Sequence, residues 1–168
     1  SNPAIASYAN RFQNSLPKEF RVCQTERLVG QIESSDAVLF GDFHTLPESQ
    51  KAFFEVLKRT YEAAPSRPIA VALEIFAAAD QSHIDEYLSG RLPEEYFLKR
   101  IDYHNKWGFP WENYRPIVEF CVRNKIPIHG INHQTSSKDR LSKRDAFAAE
   151  IINRIHAEGP GTLVLCLI

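Results

Sequence analysis

Short apolar runs alternate with longer amphipathic segments along this chain of 168 residues. Four of the runs are rich in valine, isoleucine, leucine and phenylalanine, a composition typical of buried strands. The pattern predicts strands at 37–41, 69–74, 127–131 and 162–168. Between them, apolar residues recur every three or four positions, which predicts helices. The predicted helices cover 4–15, 25–34, 46–64, 80–89, 93–100 and 111–125, with a long one around 147–155.

The alternation of apolar strands with helices predicts an α/β fold with a mostly parallel central sheet flanked by helices. No internal repeat or linker divides residues 1–168, so we expect a single domain. The last run, 162–168, has no polar terminator and no polar alternation. Both its faces should therefore be covered, as in an interior strand beside the one that bears Gly41 or the one that bears Asn132. We expect the intact protein to continue beyond Ile168.

Composition excludes several classes of function. The formal net charge is −1, so no overall charge points to nucleic acid or to an anionic membrane surface. No run approaches the roughly 20 apolar residues of a membrane span, and no signal peptide is recognisable. The three cysteines, Cys23, Cys121 and Cys166, lie far apart, which argues against a disulfide framework or a zinc cluster. The cell compartment stays open.

Polar residues follow three of the predicted strands. Asp42 and His44 come after the first, Glu74 closes the second, and Asn132 ends the third. In open α/β sheets, ligands bind at the carboxyl ends of the strands. Glu74 is either a buried partner for an arginine, with Arg115 as the candidate, or a functional carboxylate. His44 either caps the following helix or acts as a base, a metal ligand or a ligand contact.

The segment 102–116 holds the densest group of aromatic residues in the chain. Two interpretations stay open for it. It is either a packed cover over the edge of the sheet, or an aromatic wall for a flat, apolar ligand. In the second case Trp107 and Tyr114 would contact the ligand, and Arg115 would bind an anionic group on it.

Five segments together resemble the ChaN-type haem-binding lipoprotein family. They are Gly41-Asp42-Phe43-His44, Ala72-Leu73-Glu74-Ile75-Phe76, Tyr87-Leu88-Ser89-Gly90, the stretch Trp107 to Pro116, and Gly130-Ile131-Asn132. The resemblance spans roughly residues 30–168, and its most specific part is the tryptophan–tyrosine–arginine–proline segment. The family usually has glutamate where this chain has Asp42.

The resemblance implies a ChaN/Tiki-like α/β fold, haem as a cofactor or ligand, and a possible homodimer. Related Tiki-type proteins have a proposed metalloprotease site made of two Gly-x-x-His motifs and a glutamate. In this chain the resemblance places the first motif at Gly41 and His44 and the glutamate at Glu74. It also implies a second motif directly after the last strand, beyond Ile168. The haem-binding tyrosine of the family cannot be assigned to a position in this chain.

Two hypotheses about the function follow. A third is that the protein has kept the fold and lost its chemical activity. The first is a binding protein for haem or another porphyrin, with a tyrosine or histidine on the iron. The second is a hydrolase in which His44 and Glu74 bind a divalent metal or activate water. The ligand-contacting residues predicted for either case are Asp42, His44, Glu74, Trp107, Tyr114, Arg115 and Asn132.

Overall fold

The computed structural model describes residues 24–133 and 140–168. The helix predicted over 4–15 therefore lies outside the described residues. The strands are β1 (Ala37–Phe40), β2 (Ile69–Ala77), β3 (Ile128–Asn132) and β4 (Leu163–Leu167). The helices are α1 (Thr25–Glu33), α2 (Pro47–Ala63), α3 (Gln81–Leu88), α4 (Glu94–Arg100), α5 (Tyr103–Lys106), α6 (Arg115–Asn124) and α7 (Arg140–Glu158), with short 3₁₀ turns at Ala78–Asp80 and Trp111–Asn113.

The four strands form one parallel sheet in the order β1-β4-β2-β3. This confirms the predicted α/β class and the parallel pairing. The last strand of the chain is an interior strand, as its unbroken apolar run predicted, and all five residues of β4 are buried. It lies between β1 and β2, and its register brings Leu167 opposite Phe40.

The two faces of the sheet are covered differently. One face, which we call the α2 face, packs against α1 to α6, and its core includes Phe53 and Leu57 of α2. The other, the α7 face, packs against α7 through Ile151 and Ile155. Side chains alternate along β2, so that Val71 and Leu73 belong to the first core and the alanines between and before them belong to the second.

An irregularity in β2 adjusts this alternation near the carboxyl edge. The strand continues to Ala77 instead of ending at residue 74 as predicted, and its register with β3 shifts between Leu73 and Ala77. As a result Ile75 and Phe76 both join the core of the α2 face. A Cβ on Gly130 of β3 would lie 2.7 Å from the carbonyl oxygen of Ala77, so the close approach of the strands here requires glycine.

Among the described residues, no helix has both the length and the apolar character that a membrane span requires.

Candidate functional site

The loop after β1 holds a carboxylate that is almost completely shielded from solvent. The Asp42 side chain is 1% exposed, and the Asp42 backbone N–H donates to the carbonyl of Ile168 at the end of β4. The loop is further held by Ser49 of α2, whose hydroxyl donates to the Gly41 carbonyl and accepts from the Phe43 N–H. A buried ionised carboxylate is costly unless several donors surround it.

Three side chains supply those donors to Asp42. The Tyr114 hydroxyl donates to Oδ2 over 2.7 Å, and His44 Nδ1 lies 2.9 Å from the same oxygen. The Gln50 amide nitrogen donates to Oδ1. Gln50 and Tyr114 are both fully buried. We call Asp42, His44, Gln50 and Tyr114 the Asp42 network.

The His44 ring packs against two aromatic side chains of the segment after α5, which also contact each other. Its centroid is 4.5 Å from the ring of Trp107 and 4.9 Å from that of Phe109. The side chain is 28% exposed, so the ring is accessible from one side. Among the described residues its hydrogen bond is the one through Nδ1 to Asp42. Helix α2 starts at Pro47 without a side-chain cap, so His44 does not cap that helix.

This arrangement determines the chemistry that His44 can offer. A carboxylate only accepts hydrogen bonds, so the proton of the neutral imidazole lies on Nδ1 and the lone pair lies on Nε2. Burial, together with the hydrogen bond to Asp42, raises the pKa of the Tyr114 hydroxyl far above its usual range. Tyr114 therefore stays a phenol that donates to Asp42, and Nε2 of His44 is the nucleophilic or ligating atom of the network.

Glu74 lies on the opposite face of the sheet. It forms an ion pair with Arg144 of α7, and its side chain is 16% exposed. The predicted contact between Glu74 and Arg115 is therefore wrong: Arg115 forms its ion pair with Glu94 of α4 instead. The reason is the alternation along β2, because Glu74 follows Ala70 and Ala72 on the α7 face.

A pocket of about 380 Å³ lies beside this ion pair on the α7 face. Its walls are mainly apolar side chains of β1, β3 and α7 together with Ile168, and Glu74, Arg144 and Asp145 form its polar end. Leu39 of the edge strand β1 also lines the pocket and is 58% exposed. The pocket is separate from the Asp42 network.

The remaining predicted site residues do not all belong to the surroundings of His44. Trp107 and Tyr114 both lie there, but Tyr114 is fully buried, so of these two rings Trp107 is the one that could form a wall open to a ligand. Asn132 lines a small recess together with Trp107 and Lys106, at the margin of that wall. Arg115 points to α4 and does not join the His44 site.

Gln50 is the site residue that the sequence analysis missed. It lies on the buried stripe of α2, one turn before Phe53, where an apolar residue is normal. A glutamine in that position was the available signal. No group of three or more metal-ligating side chains occurs among the described residues. Cys121 and Cys166 are buried free thiols, and burial raises the pKa of each to about 12, so neither is a nucleophile.

Comparisons with known proteins place this chain in a family. A family model described as "Haem-binding uptake, Tiki superfamily, ChaN" matches residues 28–159. The chain belongs to this family. The match includes β1, His44, the aromatic segment and α7. None of the curated proteins is similar enough in sequence to count as a match.

Solved structures share the fold at low sequence identity. ChaN of Campylobacter jejuni, described as binding haem cofacially, has a TM-score of 0.61 and 12% identity, covering 87% of this chain and 75% of that one. The C-terminal region of Pasteurella multocida toxin, described as having a thiol-protease-like catalytic triad, has a TM-score of 0.58 and 15% identity over 86% of this chain and 20% of that one. The type III effector HopBA1 has a TM-score of 0.57 and 18% identity over 85% and 70%.

Proposed function

We propose that this protein binds haem or a similar planar porphyrin at the carboxyl edge of the sheet, on the α2 face. The observation that carries the proposal is the His44 ring, held through Nδ1 by the buried Asp42 carboxylate and packed against both Trp107 and Phe109. A neutral imidazole nitrogen is a common axial ligand of haem iron, and aromatic rings pack well against the porphyrin plane. Membership of the ChaN family supports the same ligand class.

The residues around His44 fit such a ligand. Phe43 is 65% exposed and Leu46 is 49% exposed, so the loop that carries His44 presents apolar side chains to solvent. When bound, haem would supply an iron centre that takes a side-chain ligand from the protein. Tyr114 is unsuited to be the iron ligand, because its hydroxyl donates to Asp42 and its raised pKa disfavours the phenolate. His44 would hold the iron, and Trp107 and Phe109 would contact the macrocycle.

The test is a hemin titration of the full chain, followed through the Soret band. We expect saturable binding with the spectrum of a histidine-ligated iron. His44→Ala should weaken binding more than the about 10- to 100-fold typical of losing an outer partner of a ligand. His104→Ala is the matched control, because His104 is an exposed histidine of the neighbouring helix α5. Absence of a saturable shift with the wild-type chain would remove the proposal.

A second candidate is a hydrolase, favoured by the same Asp42–His44 pair. A carboxylate that holds Nδ1–H of a histidine leaves Nε2 able to act as a general base. The predicted divalent metal shared by His44 and Glu74 is not part of this version, because the two residues occupy opposite faces of the sheet. Metal analysis and a panel of ester and peptide substrates test it, and turnover that survives His44→Ala would contradict it.

A further inference from the structure

We propose that Gln50 and Tyr114 are positioning residues, which fix the Asp42 carboxylate so that His44 presents Nε2 to its ligand. The inference rests on the proposed function, since it assigns roles within that binding site. Gln50 comes from the first turns of α2 and Tyr114 from the turn before α6, so two separate elements fix one carboxylate. Neither residue contacts the ring of His44 by a hydrogen bond in the described structure.

The first argument is the division of the two carboxylate oxygens. Oδ2 receives both Tyr114 and His44, and Oδ1 receives Gln50. The Gln50 amide nitrogen also lies 3.4 Å from the carbonyl of Phe43, in the loop that bears His44. With both oxygens held, the carboxylate cannot rotate away from Nδ1. His44 Nδ1 then has a fixed acceptor, and its neutral ring is held in the Nδ1–H tautomer.

The second argument is that Gln50 stabilises the core less than an apolar side chain would. Gln50 is fully buried, and while its nitrogen serves Asp42, its own carbonyl oxygen Oε1 has no partner among the described residues. An apolar side chain at this point of the α2 stripe would leave no such unpaired acceptor. A buried polar group that costs stability is typical of a functional site. The orientation of Gln50 is explained by what it does for Asp42.

The experiment measures the tautomer of His44 directly in the ligand-free protein. Nitrogen-15 NMR of the imidazole rings at about pH 8, assigned with His44→Ala, reports which nitrogen carries the proton. We expect Nδ1–H for the wild type. The variants Tyr114→Phe and Gln50→Met each remove one donor with little change in shape, and each should introduce a measurable fraction of the Nε2–H tautomer. Tyr87→Phe is the matched control, because it removes a hydroxyl bonded to Glu94, outside the network.

Hemin titrations of the same variants complete the test. Tyr114→Phe and Gln50→Met should each weaken binding by about 10-fold or more, as expected for outer partners of a ligating histidine, while Tyr87→Phe should not. A wild-type ring with its proton on Nε2 overturns the inference without any variant, and so do folded variants whose tautomer is unchanged. If the tautomer shifts as expected but the wild type does not bind hemin, the proposed ligand is wrong and the positioning roles stand.

Discussion

Two carboxylates at the same edge of the sheet have very different surroundings. On the α2 face, Asp42 is 1% exposed and receives hydrogen bonds from three side chains of three different segments. On the α7 face, Glu74 is 16% exposed and pairs with one cation, Arg144, which is itself one-third exposed. The first carboxylate has a neighbour with a free ring nitrogen; the second has a neighbour whose charge it neutralises.

The difference shows that two residues at the same edge of a sheet can still lie on opposite faces of it. The carboxyl ends of parallel strands bring residues to one edge, but the two-residue period of the strand then divides them between the two sides. Asp42 and His44 lie beyond the end of β1, where the turn directs them to the α2 face, whereas Glu74 still lies within β2. We therefore propose the α2 face as the ligand site and a structural role for the Glu74–Arg144 pair.

Substituting Gly130 should have the largest effect on stability, because a side chain there would disturb the close pairing of β3 with β2. Gly130→Ala would place a Cβ 2.7 Å from the backbone carbonyl of Ala77, which cannot move like a side chain. We expect a loss of about 1–3 kcal/mol in the free energy of unfolding, measured by urea denaturation. Gly30→Ala in α1 meets nothing within 4 Å and should be neutral or stabilising. Equal effects for the two variants would show that the approach of β3 to β2 is not tight.

Removing one aromatic ring beside His44 should show which face of the sheet binds hemin. Phe109→Ala deletes a ring whose centroid is 4.9 Å from that of His44, and an aromatic contact of this kind contributes about 1 kcal/mol. We expect hemin affinity to fall about 5- to 10-fold in the Soret titration. Ile152→Ala, which removes a partly buried side chain from the α7 pocket, is the comparison. The assignment of the ligand to the α2 face would be wrong if Ile152→Ala weakened binding more.

Breaking the ion pair of the α7 face should cost little and should leave hemin binding unchanged. A partly exposed pair contributes about 1 kcal/mol or less. Arg144→Gln should destabilise more than Glu74→Gln, because it leaves behind the less exposed of the two charges. Thermal unfolding of the two variants measures this order. A large fall in hemin affinity in Glu74→Gln would return Glu74 to the ligand site.

The smallest effect concerns pH and His129 of β3. Burial lowers the pKa of His129, and this outweighs Asp85 and Glu158, which act in the opposite direction. The unfolded chain then takes up the proton at a higher pH than the folded one, so stability should decline as the pH falls below the ordinary imidazole value of about 6.5. His129→Gln should reduce that decline between pH 7.5 and 5.5 in urea titrations. An unchanged pH dependence would show that His129 ionises equally in both states.

Much of the fold followed from the sequence because the strands are short and fully apolar. The run Leu163–Leu167 has no polar alternation, which predicted an interior strand, and the structure confirms it between β1 and β2. The predicted end of β2 at residue 74 is wrong, because Glu74 does not terminate the strand. Its charge is neutralised by Arg144, so the strand can continue, and that contact lies 70 residues away in sequence, a separation that periodicity cannot detect.

The site was predictable only in part, for a related reason. Asp42 and His44 are close in sequence, and the dense aromatic segment gave Trp107 and Tyr114 as candidates. The contacts of Trp107 with His44 and of Tyr114 with Asp42 join segments that are more than 60 residues apart in sequence, which no local pattern specifies. Gln50 could not be predicted, because a single polar residue on the apolar stripe of a helix does not indicate a function unless its partner is known.

The position of β4 late in the sequence also bears on the order in which parts of the sheet form. Strand β1 pairs only with β4 in the described sheet, and β4 is made more than 120 residues later. Until Leu163–Leu167 emerge, β1 lacks the strand with which it pairs in the described sheet, and the Asp42 N–H lacks its acceptor on Ile168. Contacts between residues so far apart in sequence are slow to form. We therefore expect the loop that carries His44 to be fixed late in folding.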